Sequence, residues 1–98
     1  MPEPRQWQLR ILPPAQKDLR RLTQQKILGH VERTLDRIQG FYRLGQPVPD
    51  ARPLKGRPAS YRVDTGEYRV LYEVDEAGST VIVFRVRHRR EAYRNVGR

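Results

Sequence analysis

The sequence contains no cysteine, and this absence excludes disulfide bonds, thiolate metal sites and cysteine nucleophiles. It also lacks any apolar run that approaches the length of a membrane-spanning helix. Residues 1–10 contain no apolar run of the kind that a signal peptide needs. We therefore expect a soluble, cytoplasmic protein that has no membrane partner.

Carboxylates are also scarce, with 11 Asp and Glu against 20 Lys and Arg and a formal net charge of +9. They are dispersed along the chain, and only Asp75 and Glu76 are adjacent, in a predicted turn. A metal-dependent nuclease needs clustered carboxylates to hold its cations. We therefore expect no metal site and no cofactor.

Lysine is rare among the cations, since 17 of the 20 are arginine. The planar guanidinium binds phosphate through two parallel hydrogen bonds and stacks on bases, which suits nucleic-acid recognition. A GC-rich genome is an alternative reason for arginine in place of lysine, but it does not explain the excess of positive charge. The expected partners are therefore acidic, with RNA, DNA and an acidic protein all open.

The periodicity of the first half predicts one strand followed by two helices. Residues 7–11 alternate between apolar and polar side chains, as in a half-buried strand. Apolar residues then recur at helical spacing over residues 15–22 and again over residues 27–38. Thr23 is the predicted N-cap of the second helix, and Gly40 is its predicted end.

The second half predicts a long connection and then a sheet. Residues 41–58 are rich in proline and glycine and are typical of a surface connection. Three strands follow, at residues 61–64, 68–75 and 80–86. The fold class is therefore α+β: an N-terminal strand, a two-helix hairpin and an antiparallel meander of three or more strands, with the helices on one sheet face. The other face stays open to solvent or a ligand.

Arg69 lies in the middle of the clearest predicted strand. Its side chain points opposite to those of Tyr68 and Val70, and so away from the helices. A charge there needs a partner or water. Arg69 either pairs with Glu67 or Glu73, or it is a phosphate ligand at the centre of the open face.

The C-terminal run is the second candidate region. Residues 85–98 hold six arginines and one glutamate and contribute +5 to the net charge. Such a run can be a solvated end, but this one continues directly from a predicted buried strand. It also contains His88 and Tyr93, side chains that exchange protons or stack on bases. His88 is either an acid or base, or it packs at the strand end. The cationic candidates in this run are Arg87, Arg89, Arg90 and Arg94.

A third group of cations, Lys55, Arg57 and Arg62, precedes the central strand. Strand pairing would bring Arg62 close to Arg69. Cleavage of RNA by its own 2′-hydroxyl needs stabilisation of the negative charge that develops on the phosphorane, which fixed guanidinium groups supply. It also needs proton transfers, which a neutral Tyr or His near other cations can perform.

Four blocks of sequence together resemble the RelE/ParE toxin superfamily. They are LKG at 54–56, YRV at 61–63, GEYRVLYEV at 66–74 and VFRVRHRREAYR at 83–94. The upstream strand and helices have the family's lengths and order, so the resemblance extends over residues 6–95. It implies that residues 1–98 form a single RelE-like toxin domain.

The resemblance implies a type II toxin that pairs with an acidic, RelB-like antitoxin. RelE-like members cleave messenger RNA in the ribosomal A site without a metal, leave a 2′,3′-cyclic phosphate and thereby inhibit translation. By this correspondence, Arg69 and Arg89 would stabilise the transition state at the phosphate. Tyr93 would stack on or orient a base, with a possible part in proton transfer, and Arg62 would contact RNA.

Asp64 departs from the RelE pattern, which commonly has a second Lys or Arg at this position. Two alternatives to the nuclease remain. A ParE-like toxin would inhibit DNA gyrase by binding it, without nuclease activity, but such toxins usually lack the full set of Arg62, Arg69, Arg89 and Tyr93. A degenerate module that only binds RNA or sequesters antitoxin is the second alternative, and Asp64 is the reason to consider it.

Overall fold

The computed structural model describes residues 6–91 of the 98. Their elements are, in chain order, β1 (Gln8–Ile11), α1 (Pro13–Arg20), α2 (Gln25–Arg43), β2 (Arg52–Pro53), β3 (Ser60–Thr65), β4 (Tyr68–Asp75) and β5 (Thr80–His88). The strands form one sheet in the order β1-β5-β4-β3-β2. This arrangement confirms the α+β class and the element order expected from the sequence.

β5 lies inside the sheet because it pairs with β1 on one side and with β4 on the other. The two helices connect β1 to the antiparallel strands. β1 pairs with β5 in parallel, and the other neighbouring strands pair antiparallel. α1 packs on β5, while α2 packs on β1, β3 and β4. No helix within residues 6–91 is long and apolar enough to span a membrane.

The core lies between the helices and one face of the sheet. Trp7 packs on Tyr42 with ring centroids 5.0 Å apart, and Tyr72 stacks on Tyr61 at 5.6 Å. The buried hydrophobic residues of this core are Trp7, Ala15, Val31, Leu35, Ile38, Val48, Val63, Val70, Tyr72, Val81, Val83 and Val86. Most of the strand residues among them are valines, whose branched side chains favour a pleated, half-buried surface.

α2 differs from its prediction at both ends. Its N-cap is Gln24 and not Thr23, and the Gln24 side chain makes no capping hydrogen bond within the described residues. The helix also continues past Gly40 to Arg43. Phe41 and Tyr42 pack against the core, and this burial outweighs the roughly 1 kcal/mol that a glycine costs inside a helix.

β5 carries one extra residue relative to β4. Leu71 pairs with Arg85 but Tyr72 pairs with Val83, so Phe84 forms a bulge between them. The bulge lets Val83 and Val86 both reach the core although three positions separate them, where strict alternation would put them on opposite faces.

Asp18 of α1 takes the place of a strand partner beside this bulge. β1 ends at Ile11, and its last bond to β5 runs from Leu12 N to Val83 O at 2.9 Å. Asp18 Oδ2 then accepts hydrogen bonds from Val86 N at 2.9 Å and from Arg85 Nε at 2.8 Å. With 8% of its surface exposed, this carboxylate ties α1 to the second half of β5.

Candidate nucleic-acid interface

The three long strands present opposite chemistry on their two faces. Val63, Val70 and Val86 are paired across β3, β4 and β5 and belong to the core. Their sequence neighbours therefore point to the side away from the helices. We call this side the basic face, and its residues include Arg52, Arg62, Asp64, Arg69, Leu71, Glu73, Phe84 and Arg87. Arg85, the other neighbour of Val86, binds Asp18 of α1 and is not counted here.

Like charges lie directly opposite each other on the basic face. Arg69 on β4 pairs with Arg87 on β5, and Arg52 on β2 pairs with Arg62 on β3. Arg62 is also the diagonal neighbour of Arg69, because its direct partner on β4 is Leu71. Directly opposed like charges destabilise a sheet unless a carboxylate or another anion compensates them. The expected proximity of Arg62 to Arg69 is confirmed.

Arg69 is held by a partner that the sequence analysis did not propose. Its Nε donates to Asp64 Oδ1 at 2.9 Å, and only 6% of the residue is exposed. The pairing with Glu67 or Glu73 is therefore wrong. Glu67 lies against His88, and Glu73 lies 3.7 Å from the guanidinium of Arg57.

The turn between β3 and β4 could have identified Asp64 in advance. Gly66 has φ of +62°, a conformation that glycine adopts without strain, and it closes the hairpin so that Thr65 pairs with Tyr68. Counting one pair back from this turn puts Asp64 opposite Arg69. The register across this turn was not predicted from the sequence.

Arg57 joins the basic face from the connection before β3. Its guanidinium lies over the Phe84 ring, 3.9 Å from the centroid, and pairs with Glu73. The bulge in β5 supplies the ring on which this cation rests. Lys55 is exposed on the turn just before Arg57.

His88 lies on the other side of β5 from Arg87. It pairs with Tyr68, and its ring meets the Tyr68 ring edge-on at 5.3 Å. Its Nε2 lies 3.3 Å from Glu67 Oε2, and its Nδ1 accepts from Arg90 N at 3.3 Å. Because a backbone N–H can only donate, these contacts assign the proton to Nε2. The structure thus brings His88 to the packed strand end and not to Arg69.

Arg89 follows β5 at the end of the sheet, where its N donates to Glu67 O at 2.7 Å. A cavity of about 340 Å³ is lined there by Glu67, His88, Arg89 and Arg90. Arg89 and Arg90 are both exposed at this rim. The last two predicted site residues, Tyr93 and Arg94, lie outside the described residues.

Arg87 connects the basic face to this rim. Its side chain is 19% exposed, and its Nε lies 3.4 Å from Glu91 Oε2, one helical turn further along the chain. Within residues 6–91, no three His, Asp or Glu side chains form a group that could hold a metal ion. On the basic face itself, Arg52, Arg62, Arg69 and Arg87 are fixed on strands β2 to β5.

Comparison with known proteins identifies the family. Residues 9–93 match the family described as ParE toxin of type II toxin-antitoxin system, parDE. The chain belongs to the RelE/ParE superfamily of type II toxins. The match confirms the resemblance seen in the sequence and covers the arginine-bearing strands and the rim.

Individual members of the RelE/ParE superfamily support this assignment. Toxin RelG of Mycobacterium tuberculosis is 35% identical over 81 residues, which are 82% of this chain and 87% of RelG. The toxin-antitoxin complex RelBE2 of the same organism has a chain with a TM-score of 0.66 and 29% identity, covering 85% of this chain and 91% of that one. The RelB-RelE antitoxin-toxin complex of Methanococcus jannaschii gives 0.68 and 27%, covering 88% and 96%.

Proposed function

We propose that this toxin is a ribosome-dependent endoribonuclease that cleaves messenger RNA and so inhibits translation. The observation that carries the proposal is the group of three arginines, Arg62, Arg69 and Arg87, on adjacent strands of one face. A group of fixed cations on a rigid sheet matches the charge that develops on a phosphate during cleavage.

The reaction needs no metal in this proposal. The 2′-oxygen of the RNA attacks the adjacent phosphorus, the bond from phosphorus to the 5′-oxygen breaks, and a 2′,3′-cyclic phosphate and a 5′-hydroxyl result. Arg69 and Arg89 stabilise the charge on the phosphorane oxygens. Tyr93 orients a base and is the candidate for proton transfer. His88 is not assigned a step, because it lies on the other side of β5 from Arg69 and Arg87.

The remaining cations would hold the RNA backbone around the reacting phosphate. They are Lys55, Arg57, Arg62, Arg87, Arg90 and Arg94. One small face offers few groups for fixing a flexible single strand, so positioning has to come from elsewhere. We therefore propose that the ribosomal A site presents the message and that the toxin supplies the charge. This places its activity in the cytoplasm.

Primer extension on translated messages tests the proposal. Induced toxin should stop translation and cut inside codons, whereas purified toxin should cleave little RNA without ribosomes. Arg69→Ala and Arg89→Ala should each slow cleavage by about 10²-fold or more, by analogy with the loss of one charge-stabilising donor. Arg20→Ala is the matched control, since Arg20 is exposed on the helical side. Circular dichroism should show that each variant folds.

Inhibition of DNA gyrase is the second candidate, and the family description as a ParE toxin favours it. Supercoiling by purified gyrase separates the two functions. Loss of supercoiling while messages stay intact would establish the ParE-like function and exclude the nuclease. Neither effect would leave a module that binds RNA or antitoxin without toxic activity.

We also propose an acidic, RelB-like antitoxin as the partner of this chain. Two similar structures are complexes of a toxin with its antitoxin. A net charge of +9 favours an acidic protein, which can cover the arginines and fold as it binds. Co-purification with the untagged product of a neighbouring gene tests this. A stable monomer that does not harm cells would contradict it.

A further inference from the structure

Asp64 and Arg69 form an ion pair whose two partners differ in burial. They lie directly opposite each other on β3 and β4, and Arg69 Nε lies 2.9 Å from Asp64 Oδ1. The Arg69 side chain is 7% exposed, whereas the Asp64 side chain is 53% exposed. The guanidinium is therefore enclosed by the protein, while the carboxylate lies at the solvent boundary and can rotate away.

A carboxylate oxygen and a phosphate oxygen bind a guanidinium in the same way, through short charge-assisted hydrogen bonds. Asp64 thus offers Arg69 the kind of acceptor that an RNA phosphate would offer. Its negative charge also lies in one transverse row with Arg69 and Arg87, and so opposes any anion that approaches that row.

We propose that Asp64 is a positioning residue for Arg69 and that its charge limits the affinity of the basic face for RNA. Asp64 orients the guanidinium through Nε before RNA arrives, and it weakens RNA binding because it repels the incoming phosphate. The effect on cleavage rests on the proposed nuclease function, whereas the effect on RNA affinity does not.

Two substitutions separate these roles. Asp64→Asn keeps an oxygen that can accept the Nε–H bond but removes the charge, and Asp64→Ala removes both. Asp36→Asn is the control, because it changes the net charge equally at an exposed position on α2. The probe is a short single-stranded RNA with 2′-O-methyl riboses, which binds but cannot be cleaved by its own 2′-oxygen.

Both Asp64 variants should bind this RNA about threefold more tightly or better, since one unit of repulsion within a few ångströms of a phosphate is removed. Asp36→Asn should change the dissociation constant by less than about twofold, because that charge is screened by solvent and salt. In the ribosomal assay, Asp64→Asn should keep kcat within about twofold. Asp64→Ala should lower kcat by about tenfold, because Arg69 loses its orienting acceptor.

The Arg69 Nε–H resonance provides a readout that is independent of cleavage. It should stay protected from solvent exchange in the wild type and in Asp64→Asn, and lose that protection in Asp64→Ala. Equal RNA affinity of Asp64→Asn and Asp36→Asn would overturn the charge effect, as would a wild type that does not bind the RNA.

An unchanged Arg69 resonance in Asp64→Ala would overturn the positioning role. Loss of kcat in Asp64→Asn at unchanged RNA affinity would also overturn the proposal, since Asp64 would then act as a proton acceptor. If the wild type binds the RNA but cuts nothing on ribosomes, the nuclease function fails, and the binding and resonance measurements still decide the role of Asp64.

Discussion

The two faces of β3, β4 and β5 are built from alternating residues of the same strands and have opposite chemistry. The face under the helices is formed by residues such as Val63, Val70 and Val86, all less than 5% exposed. The basic face carries Asp64, Arg69 and Arg87 at the adjacent positions. The apolar face stabilises the fold, and the arginines on the other face are stabilising only when carboxylates or an anionic partner compensate their charge.

Repulsion between like charges is confined to the basic face, away from the apolar core. Arg69 faces Arg87 directly, which costs stability in an isolated sheet. The pairs Arg69–Asp64 and Arg87–Glu91 each offset part of that cost. A phosphate chain would offset more of it, so RNA binding should raise the stability of the toxin by mass action.

The largest effect is expected from moving a charge across the sheet by one residue. Val63→Lys puts an ammonium group where the side chain is fully buried, and it should destabilise the fold by about 4 kcal/mol or more. Arg62→Lys puts the same ammonium group at the neighbouring position on the basic face, which already carries a cation, and should cost about 1 kcal/mol or less. Urea denaturation followed by circular dichroism measures both. Similar losses in the two variants would contradict the assignment of the faces.

The second largest effect concerns Asp18, the α1 carboxylate that accepts hydrogen bonds from Arg85 and Val86 of β5. Asp18→Ala leaves Arg85 and Val86 N without their carboxylate and should cost about 3 kcal/mol in the free energy of unfolding. Asp36→Ala, on an exposed surface of α2, should stay within about 0.5 kcal/mol. Equal effects of the two substitutions would show that Asp18 does not anchor α1 to β5.

The face of Arg69 could be predicted from the sequence, whereas its partner and its burial were not. Alternation along β4 is enough to oppose Arg69 to Val70, because strand side chains repeat every two residues. The Asp64 pairing depends on the register across the Gly66 turn, and the low exposure of Arg69 depends on neighbouring side chains. Periodicity contains neither of them: the register is set by the local geometry of the turn, and the burial is a tertiary property.

The bulge at Phe84 and the role of Asp18 could not be predicted for a similar reason. An extra residue in β5 changes which side chains face the core, and nothing in the spacing of Val83 and Val86 distinguishes a bulge from a strand end. Asp18 looks like an ordinary polar position of an amphipathic helix. Its burial follows from where β1 ends against β5, which is fixed by the packing of distant segments.

Tyr72 is a polar side chain within the apolar face, so its substitution measures the cost of burying a hydroxyl there. It is fully buried, and its hydroxyl makes no hydrogen bond of standard geometry in the described part of the chain, although the Tyr42 hydroxyl is near enough to contribute to its raised pKa. Tyr72→Phe should therefore leave the unfolding free energy unchanged or raise it by up to about 1 kcal/mol at neutral pH. A loss of more than 1 kcal/mol would show that the hydroxyl is satisfied in solution.

The same residue predicts how stability changes at alkaline pH. Burial raises the pKa of Tyr72 above the ordinary tyrosine value of about 10. The folded state therefore keeps its proton where the unfolded state releases it. The stability of the wild type is fully present below about pH 10 and falls as the pH rises above it. Tyr72→Phe should show a shallower fall in the same urea titrations, and parallel curves would contradict the raised pKa.

The smallest effect is expected from Arg37 and Asp50, which are the same two groups as Arg69 and Asp64 but with both partners in solvent. The pair is bidentate, at 2.9 and 2.8 Å, and the side chains are 40% and 48% exposed. The hydrogen bond from Arg37 lowers the pKa of Asp50, so its contribution is present above about pH 4 and is lost as the pH falls through the lowered value. Asp50→Asn should cost no more than a few tenths of a kcal/mol at pH 7, after solvent screening, and nothing in strong acid. A larger loss would mean that bidentate geometry, and not burial, decides the strength of such pairs. The difference in burial between Arg69 and Asp64 would then not explain the strength of that pair.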